Sequence, residues 1–244
     1  MKIEVDGYSD IGGRPENEDS GGIWRLDREG VTEGVIAIIA DGLGGQGDGK
    51  AASDIVSKSL LQHRIVNGVP DKEAIDRFFE QANQELISRQ QNSFHMKTTA
   101  VYLYVNDGQA IWAHIGDSRL YHLYNGKLSH YTLDHSASQL AVYMGEITRE
   151  DIPTHAGRSR LLHAMGVKDE HPDVHDAIRL QPGEHVFLLC SDGLWEYLSD
   201  SVIEDTWNKT KNTQAFLDQI RREKDKRSPE DCDNNSAVVV YVKV

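Results

Sequence analysis

Carboxylates stand where apolar runs begin or end in this chain. Asp41 follows Val35-Ile36-Ala37-Ile38-Ile39-Ala40, Asp192 follows Val186-Phe187-Leu188-Leu189-Cys190-Ser191, and Asp117 follows a run ending in Ile115-Gly116. Asp233 stands shortly before Ala237-Val238-Val239-Val240, and Glu18-Asp19 shortly before Gly21-Gly22-Ile23-Trp24. Taken singly, each acid reads as a turn or helix-cap residue, because Asp-Gly is a common turn. Taken together, acids at the ends of strands in one packed core point to a shared pocket. Two carboxylates roughly 4 Å apart repel by about 4 kcal/mol at an effective dielectric of about 20. Several such pairs rival the net stability of a whole domain, about 5–15 kcal/mol. Arg14 alone is too little to offset them. Divalent ions that prefer oxygen ligands, Mg²⁺ or Mn²⁺, are the natural solution.

A glycine loop follows the first of these strands. Residues 41–50 read Asp-Gly-Leu-Gly-Gly-Gln-Gly-Asp-Gly-Lys. Gly42, Gly44 and Gly47 satisfy the dinucleotide fingerprint, and Gly44 with Gly49-Lys50 satisfies most of the phosphate-loop motif. Both readings fail on chemistry. A phosphate loop needs a hydroxyl after its lysine, and Ala51 stands there. Asp41 and Asp48 would set negative charge against the phosphates. No acid closes a second strand near residues 62–66, as the dinucleotide motif requires. The glycines instead let the backbone bend tightly beside a metal, where the Gly42 carbonyl is free to act as a ligand.

The elements that must position these residues are short. Strands are expected at Ile3–Tyr8, Gly22–Leu26, Val35–Ala40, Thr99–Val105, Ala110–Ile115, Leu120–Tyr124, Val174–Leu180, His185–Cys190 and Ala237–Val242, each bounded by turn residues. Helical spacing of apolar residues predicts helices over Lys50–Arg64, Lys72–Arg89 and Thr213–Lys226, with Asp71 as an N-cap and a shorter helix from near Ser201. Ser136–Arg158 reads as a partly helical surface excursion. The order is not regular βαβ alternation. It predicts an α+β fold of largely antiparallel sheets with helices packed outside. Cys190 and Asp192 would share a strand face, placing Cys190 in the core below the site, and Cys232 would face away from Asp233.

The chain has 244 residues, of which 39% are apolar and 27% charged, enough for one large core and against wholesale disorder. Its 39 acids exceed its 26 Lys and Arg, giving a formal charge of −13. Such an anion binds nucleic acid and anionic lipid poorly. The N-terminus has no signal-peptide pattern, and no apolar run approaches the ~20 residues of a membrane span. Cys190 and Cys232 make no CxxC pair and point to a reducing, cytoplasmic compartment. The 11 histidines show no zinc spacing; Pro172 separates His171 from His175. His135 reads as a structural residue ordering the loop after Asp134, and Trp112 and Trp195 as core.

Seven segments, in order, resemble the metal-dependent protein phosphatases, the type 2C or PPM family. They are Arg14-Pro15-Glu16-Asn17-Glu18-Asp19; Asp41-Gly42-Leu43-Gly44-Gly45 followed by Ala51-Ala52-Ser53; Thr98-Thr99-Ala100; Gly116-Asp117-Ser118-Arg119; Thr132-Leu133-Asp134-His135-Ser136; Ser191-Asp192-Gly193-Leu194-Trp195; and Asp233-Asn234-Asn235-Ser236. The compact form is similar to bacterial members. The resemblance implies a single domain over 1–244, built as a four-layer α-β-β-α sandwich, with a flap at about 136–158 beside the active site. It implies two Mn²⁺ or Mg²⁺ ions. Asp41 would bridge them, Asp192 and Asp233 would hold one, and the Gly42 carbonyl would reach the other. Glu18 or Asp19 would act directly or through water, and Asp117 with Asp192 would hold a third, weaker ion.

Arg14 would clamp the substrate phosphate with a fork that lysine cannot copy. The implied activity is a protein serine/threonine phosphatase in which hydroxide held by the ions attacks phosphorus in line, with no covalent intermediate. Uncatalysed phosphate-monoester hydrolysis is among the slowest reactions known. The implied partners are phosphoproteins and a cognate serine/threonine kinase, for a cytoplasmic, monomeric enzyme that binds neither nucleic acid nor membrane. Leu43 replaces a histidine common in eukaryotic relatives, which leaves the general acid unassigned. Two alternatives stay open: an inactive binding module of the same fold, and a two-metal hydrolase of small phosphoesters.

Overall fold

The structure, a computed structural model, describes all residues except 29–30, 45–47, 66–67 and 91–94. Gly45 and Gly47 of the glycine loop and Val66 therefore lie outside the described residues. Three strands open the chain: β1 (Lys2–Asp10), β2 (Asp19–Arg28) and β3 (Val31–Asp41). Helices α1 (Gly49–Leu60) and α2 (Lys72–Arg89) follow. A strand meander comes next: β4 (Ala100–Asn106), β5 (Gln109–Ile115), β6 (Arg119–Tyr124) and β7 (Lys127–Tyr131). Then come α3 (Ala137–Tyr143), a 3₁₀ turn at Arg149–Thr154, and the two-residue strands β8 (Asp173–Val174) and β9 (Ile178–Arg179). The chain ends with β10 (Glu184–Cys190), α4 (Asp192–Trp195), α5 (Asp200–Thr210), α6 (Thr213–Asp225) and β11 (Asn235–Lys243).

Two sheets form, with strand orders β1-β11-β10-β6-β7 and β2-β3-β4-β5-β8, and every pairing among the described residues is antiparallel. Alternation along each central strand makes the layers. In β3, Ile36 and Ile38 face α1 and α2, while Val35, Ala37 and Ile39 face the other sheet. In β10, Phe187 and Leu189 face the inter-sheet core, while Val186, Leu188 and Cys190 meet Trp207, Phe216 and Ile220 of α5 and α6. Strands covered on both faces read as continuous apolar runs rather than as alternating ones. Each buried Ile or Val contributes ~1.5–3 kcal/mol, so these runs are what hold the four layers together. The sandwich has helices on both outer faces, as the element order predicts.

The structure departs from the sequence expectation in places. Val174–Leu180 is not one strand. Ala113 pairs with Val174 and Ala110 with Ile178, so three residues face two and the strand bulges at His175–Ala177. His175 turns its ring onto Trp112, with centroids 4.1 Å apart. The expected first helix ends at Leu60 instead of Arg64, because the chain turns so that His63 stacks on Phe78 of α2 at 4.1 Å. Strand β7 was not expected. Its signal is Asn125-Gly126, both at positive φ, the two-residue hairpin turn that matches strand twist. Asp192 lies past the end of β10, at the start of α4, and Asp233 lies before β11. Strand parity therefore does not relate them to Cys190 or Cys232. Both cysteines are buried and free.

Candidate active site

The ends of β2, β3 and β10 and the loops before α4 and β11 meet at one edge of the sandwich. They line a cavity of about 500 Å³ with Arg14, Glu18, Asp41, Gly42, Asp117, Asp192 and Asp233. Asp19 lies in its floor, 2% exposed, directly opposite Asp41 in the β2–β3 register. The structure thus brings together all eight residues singled out from the sequence, from positions more than 200 residues apart. What draws them together is the convergence of strand ends.

Each side chain is held by a specific neighbour. Asp19 Oδ2 accepts from Ser191 Oγ at 2.8 Å. Asp41 is fixed through its backbone: its N–H donates to Thr99 Oγ1 at 3.0 Å, and its carbonyl accepts from Thr98 Oγ1 at 2.7 Å. Asn234 stitches the Arg14 loop in place. Its amide nitrogen donates to the carbonyls of Ile11 and Glu16, and its oxygen accepts from Glu18 N–H at 2.9 Å. The Glu18 carboxylate lies against the glycine loop, so close that a Cβ on Gly44 would collide with Glu18 Oε2. That side chain can swing away; the fixed demand for glycine is at Gly42, where a Cβ would meet the backbone carbonyl oxygens of Gly49 and Glu18. Arg14 stands exposed at the rim, its Nη2 donating to Asp233 Oδ2 at 2.6 Å.

The electrostatics are those of acids crowded beyond their means. Burial, opposed by the Ser236 and Ser191 hydroxyls, pushes Asp19 up to about 7. Burial and then the charge of Asp233 push Asp192 up to about 6. Burial, followed by Asp19 and Asp192, drives Asp41 well above the usual carboxylate range. Burial, with Asp192 and Asp134, does the same to Asp117. Asp19 Oδ1 and Asp192 Oδ1 are buried with no hydrogen-bond partner among the described residues. Orphaned carboxylate oxygens in an all-oxygen pocket fit divalent cations such as Mn²⁺ or Mg²⁺.

Sequence reasoning passed over two features of this region. Arg158 and Ser159 also line the cavity, and Arg158 pairs with Glu196. The basic Arg158-Ser159-Arg160 run at the end of the excursion was the available signal. The second feature is a group of His114, His135 and Asp173 whose ligand atoms lie within 4.8 Å of one another. Sequence spacing gave no sign of it, because β5, the Asp134 loop and β8 meet only in the fold. Its hydrogen bonds identify it as a support. His114 Nε2 lies 2.7 Å from Leu133 O, and burial pushes His114 down to about 4, so its ring is neutral. His135 Nδ1 accepts from Gly116 N–H, leaving its proton on Nε2, toward Asp173 Oδ2 at 3.3 Å. Since His135 N–H also donates to Gly116 O, the residue grips the peptide just before Asp117 from both sides.

The sequence matches the family described as Protein phosphatase 2C over residues 7–228. It is 31% identical to Protein phosphatase PhpP of Streptococcus pneumoniae, over 83% of each chain. It is 30% identical to Serine/threonine phosphatase stp of Listeria monocytogenes, over 79% of this chain and 77% of that one. Among solved structures, serine/threonine phosphatase Stp1 from Staphylococcus aureus superposes with a TM-score of 0.86 at 26% identity, covering 100% of this chain and 96% of that one. The catalytic domain of serine threonine protein phosphatase PstP, in complex with 2 manganese ions, superposes with a TM-score of 0.81 at 26% identity over 99% of both chains.

Proposed function

Because the chain belongs to the protein phosphatase 2C family, we propose that its cavity of crowded carboxylates hydrolyses phosphoserine and phosphothreonine in proteins. The observation that carries this reading is the pair of orphaned oxygens on Asp19 and Asp192 beneath the exposed guanidinium of Arg14. Asp41, Asp192, Asp233, Asp19 or Glu18, and the Gly42 carbonyl are the groups that would hold two divalent ions, and Asp117 with Asp192 a third. Bound there, such ions acidify a water and neutralise phosphate charge.

The chain's own residues supply the rest. Arg14 presents two parallel N–H donors to a phosphate, once its contact with Asp233 is exchanged for the substrate. Arg158, also on the cavity lining, offers a second cation. Thr98 and Thr99 hold the Asp41 backbone still, so that binding ions costs no rearrangement of β3. The excursion over 136–158 reaches the cavity at its last residue, Arg158, and reads as a flap that contacts substrate protein around the phosphorylated residue. Within one domain over 1–244, these parts suffice for a monomer. A cognate serine/threonine kinase would supply the phosphoproteins, and the reducing compartment suggested by two free thiols is the cytoplasm. Among the described residues, no helix is long and apolar enough to cross a membrane.

The test is hydrolysis of a phosphothreonine peptide with Mn²⁺, with and without a chelator. The expected result is turnover that the chelator abolishes. Asp41→Asn should lower kcat at least about 10²-fold with the fold retained by circular dichroism. Absence of turnover with any divalent ion would support the binding-module alternative. Turnover confined to small phosphoesters would support the other.

A further inference from the structure

Lys224, near the end of α6, carries its amine inside the protein. The residue is 3% exposed. Its Nζ lies 3.1 Å from Cys232 Sγ and 3.4 Å from Asp225 Oδ1, the only partners recorded for it among the described residues. A thiol is a weak acceptor, and the Asp225 carboxylate that pairs with the amine at 3.4 Å is itself mostly exposed to solvent. Buried cations ordinarily sit among strong acceptors that offset their desolvation. The pair is therefore poorly matched as an ion-binding arrangement. It is well matched as a reactive one, with a lysine nitrogen in contact with an oxidisable sulfur. Cys232 is free and only 7% exposed, so a small oxidant can reach it while a bulky thiol cannot.

We propose that Lys224 and Cys232 are a modification site that peroxide closes into a covalent nitrogen–oxygen–sulfur bridge. The amine loses one hydrogen and the thiol loses one. Two molecules of hydrogen peroxide provide the bridging oxygen, accept the four electrons taken from nitrogen and sulfur, and leave as three waters. The N–H and S–H bonds break; the N–O and O–S bonds form. An oxygen between the two atoms nearly spans the separation already present, whereas a direct S–N bond would require them to close much further. A dithiol reverses the reaction by reducing the bridge to amine, thiol and water.

The position gives the bridge a consequence. The Cys232 carbonyl accepts from Gly13 N–H at 2.9 Å, beside Arg14, and Asp233 follows Cys232 directly. A covalent tie from α6 to this segment staples the stretch that carries Asp233 and, through the Gly13 contact, holds the Arg14 loop. Because the atoms start in contact, it does so without displacing them, and it removes the thiol from further irreversible oxidation.

The full-length protein treated with hydrogen peroxide tests this by intact mass and peptide mapping. The expected product gains one oxygen and loses two hydrogens, joins the Lys224 and Cys232 peptides, and reverts completely with dithiothreitol. Lys224→Arg and Cys232→Ser should not form it. A sulfenic or sulfinic Cys232 with the Lys224 peptide free would overturn the proposal. So would a joined peptide lacking the added oxygen, or an unmodified thiol. The wild-type masses alone decide, should either variant fail to fold.

Discussion

Asp19 and Asp41 are register partners, two carboxylates directly opposite each other at the end of the β2–β3 ladder. Like charges so placed destabilise a sheet. Without ions the fold answers by keeping protons, and Asp19 is pushed up to about 7 and Asp192 to about 6. The sign follows from linkage. These carboxylates hold more protons in the folded, ion-free protein than in the unfolded chain between about pH 4 and pH 7, so their contribution to stability falls as pH rises through that window. Mn²⁺ replaces those protons. At a hundredfold excess over Kd it should add ~3 kcal/mol at pH 8 and much less at pH 5.5. Thermal melts at the two pH values, with Mn²⁺ or with chelator, measure this; an equal gain at both would remove the carboxylate cluster as the binding group.

Arg119 and Asp134 form a buried bidentate pair, with both N–O contacts at 2.7 Å. The guanidinium also lies 3.4 Å over the Trp195 ring, whose Nε1 donates to Asp117 O at 2.9 Å. The pair thus supports the Asp117 loop from below. Removing one member leaves a buried charge without its partner, which costs ~3–5 kcal/mol. Asp134→Ala should lose that much stability in urea denaturation. A loss under about 1 kcal/mol would show the pair to be dispensable.

How much of this was legible in the sequence depended on range. Helix α2 was readable to the residue, because Asp71 caps it by accepting from Ala74 N–H and Ile75, Phe79, Ala82 and Leu86 repeat along one face. The acids were readable because each is adjacent to its own strand. The split at His175–Ala177 was not, because the bulge answers to Trp112 on a different strand. Nor was the His114–His135–Asp173 support, whose members meet only through sheet pairing. Arg158 was half-legible: the basic run Arg158-Ser159-Arg160 marks a cationic stretch, but its return to the cavity depends on the fold.

Arg14 is half-exposed, and among the described residues its guanidinium is held by Asp233 alone. Its freedom suits a residue that must exchange partners when phosphate arrives. Loss of charged hydrogen bonds worth ~1.5–3 kcal/mol corresponds to about ten- to a hundredfold in binding. Arg14→Ala should raise KM for small phosphoesters by that factor with a smaller change in kcat. Arg14→Lys should recover only part, because a point charge cannot form two parallel bonds. An unchanged KM would take Arg14 out of phosphate binding.

His122 and His185 stack across β6 and β10, with His122 Nε2 3.0 Å from His185 Nδ1 and His185 Nε2 2.9 Å from Gln181 O. The chain of donors runs one way. The carbonyl of Gln181 takes the His185 proton, which leaves Nδ1 to accept from His122. Both rings are therefore neutral. Burial, followed by His185, His130 and His175, pushes His122 down to about 3. Between pH 6.5 and about 3 the unfolded chain binds a proton on this residue that the folded protein refuses, so stability is lost as pH falls through that window. Each pH unit within it costs ~1.4 kcal/mol for this residue. Because the buried carboxylates contribute with the opposite sign, the readout is the difference between the native protein and His122→Gln, taken from urea midpoints with chelator present at pH 7.5 and pH 4.5. His122→Gln should be less stable at pH 7.5 yet lose less on acidification. Equal acid losses in the two proteins would assign the sensitivity to other groups.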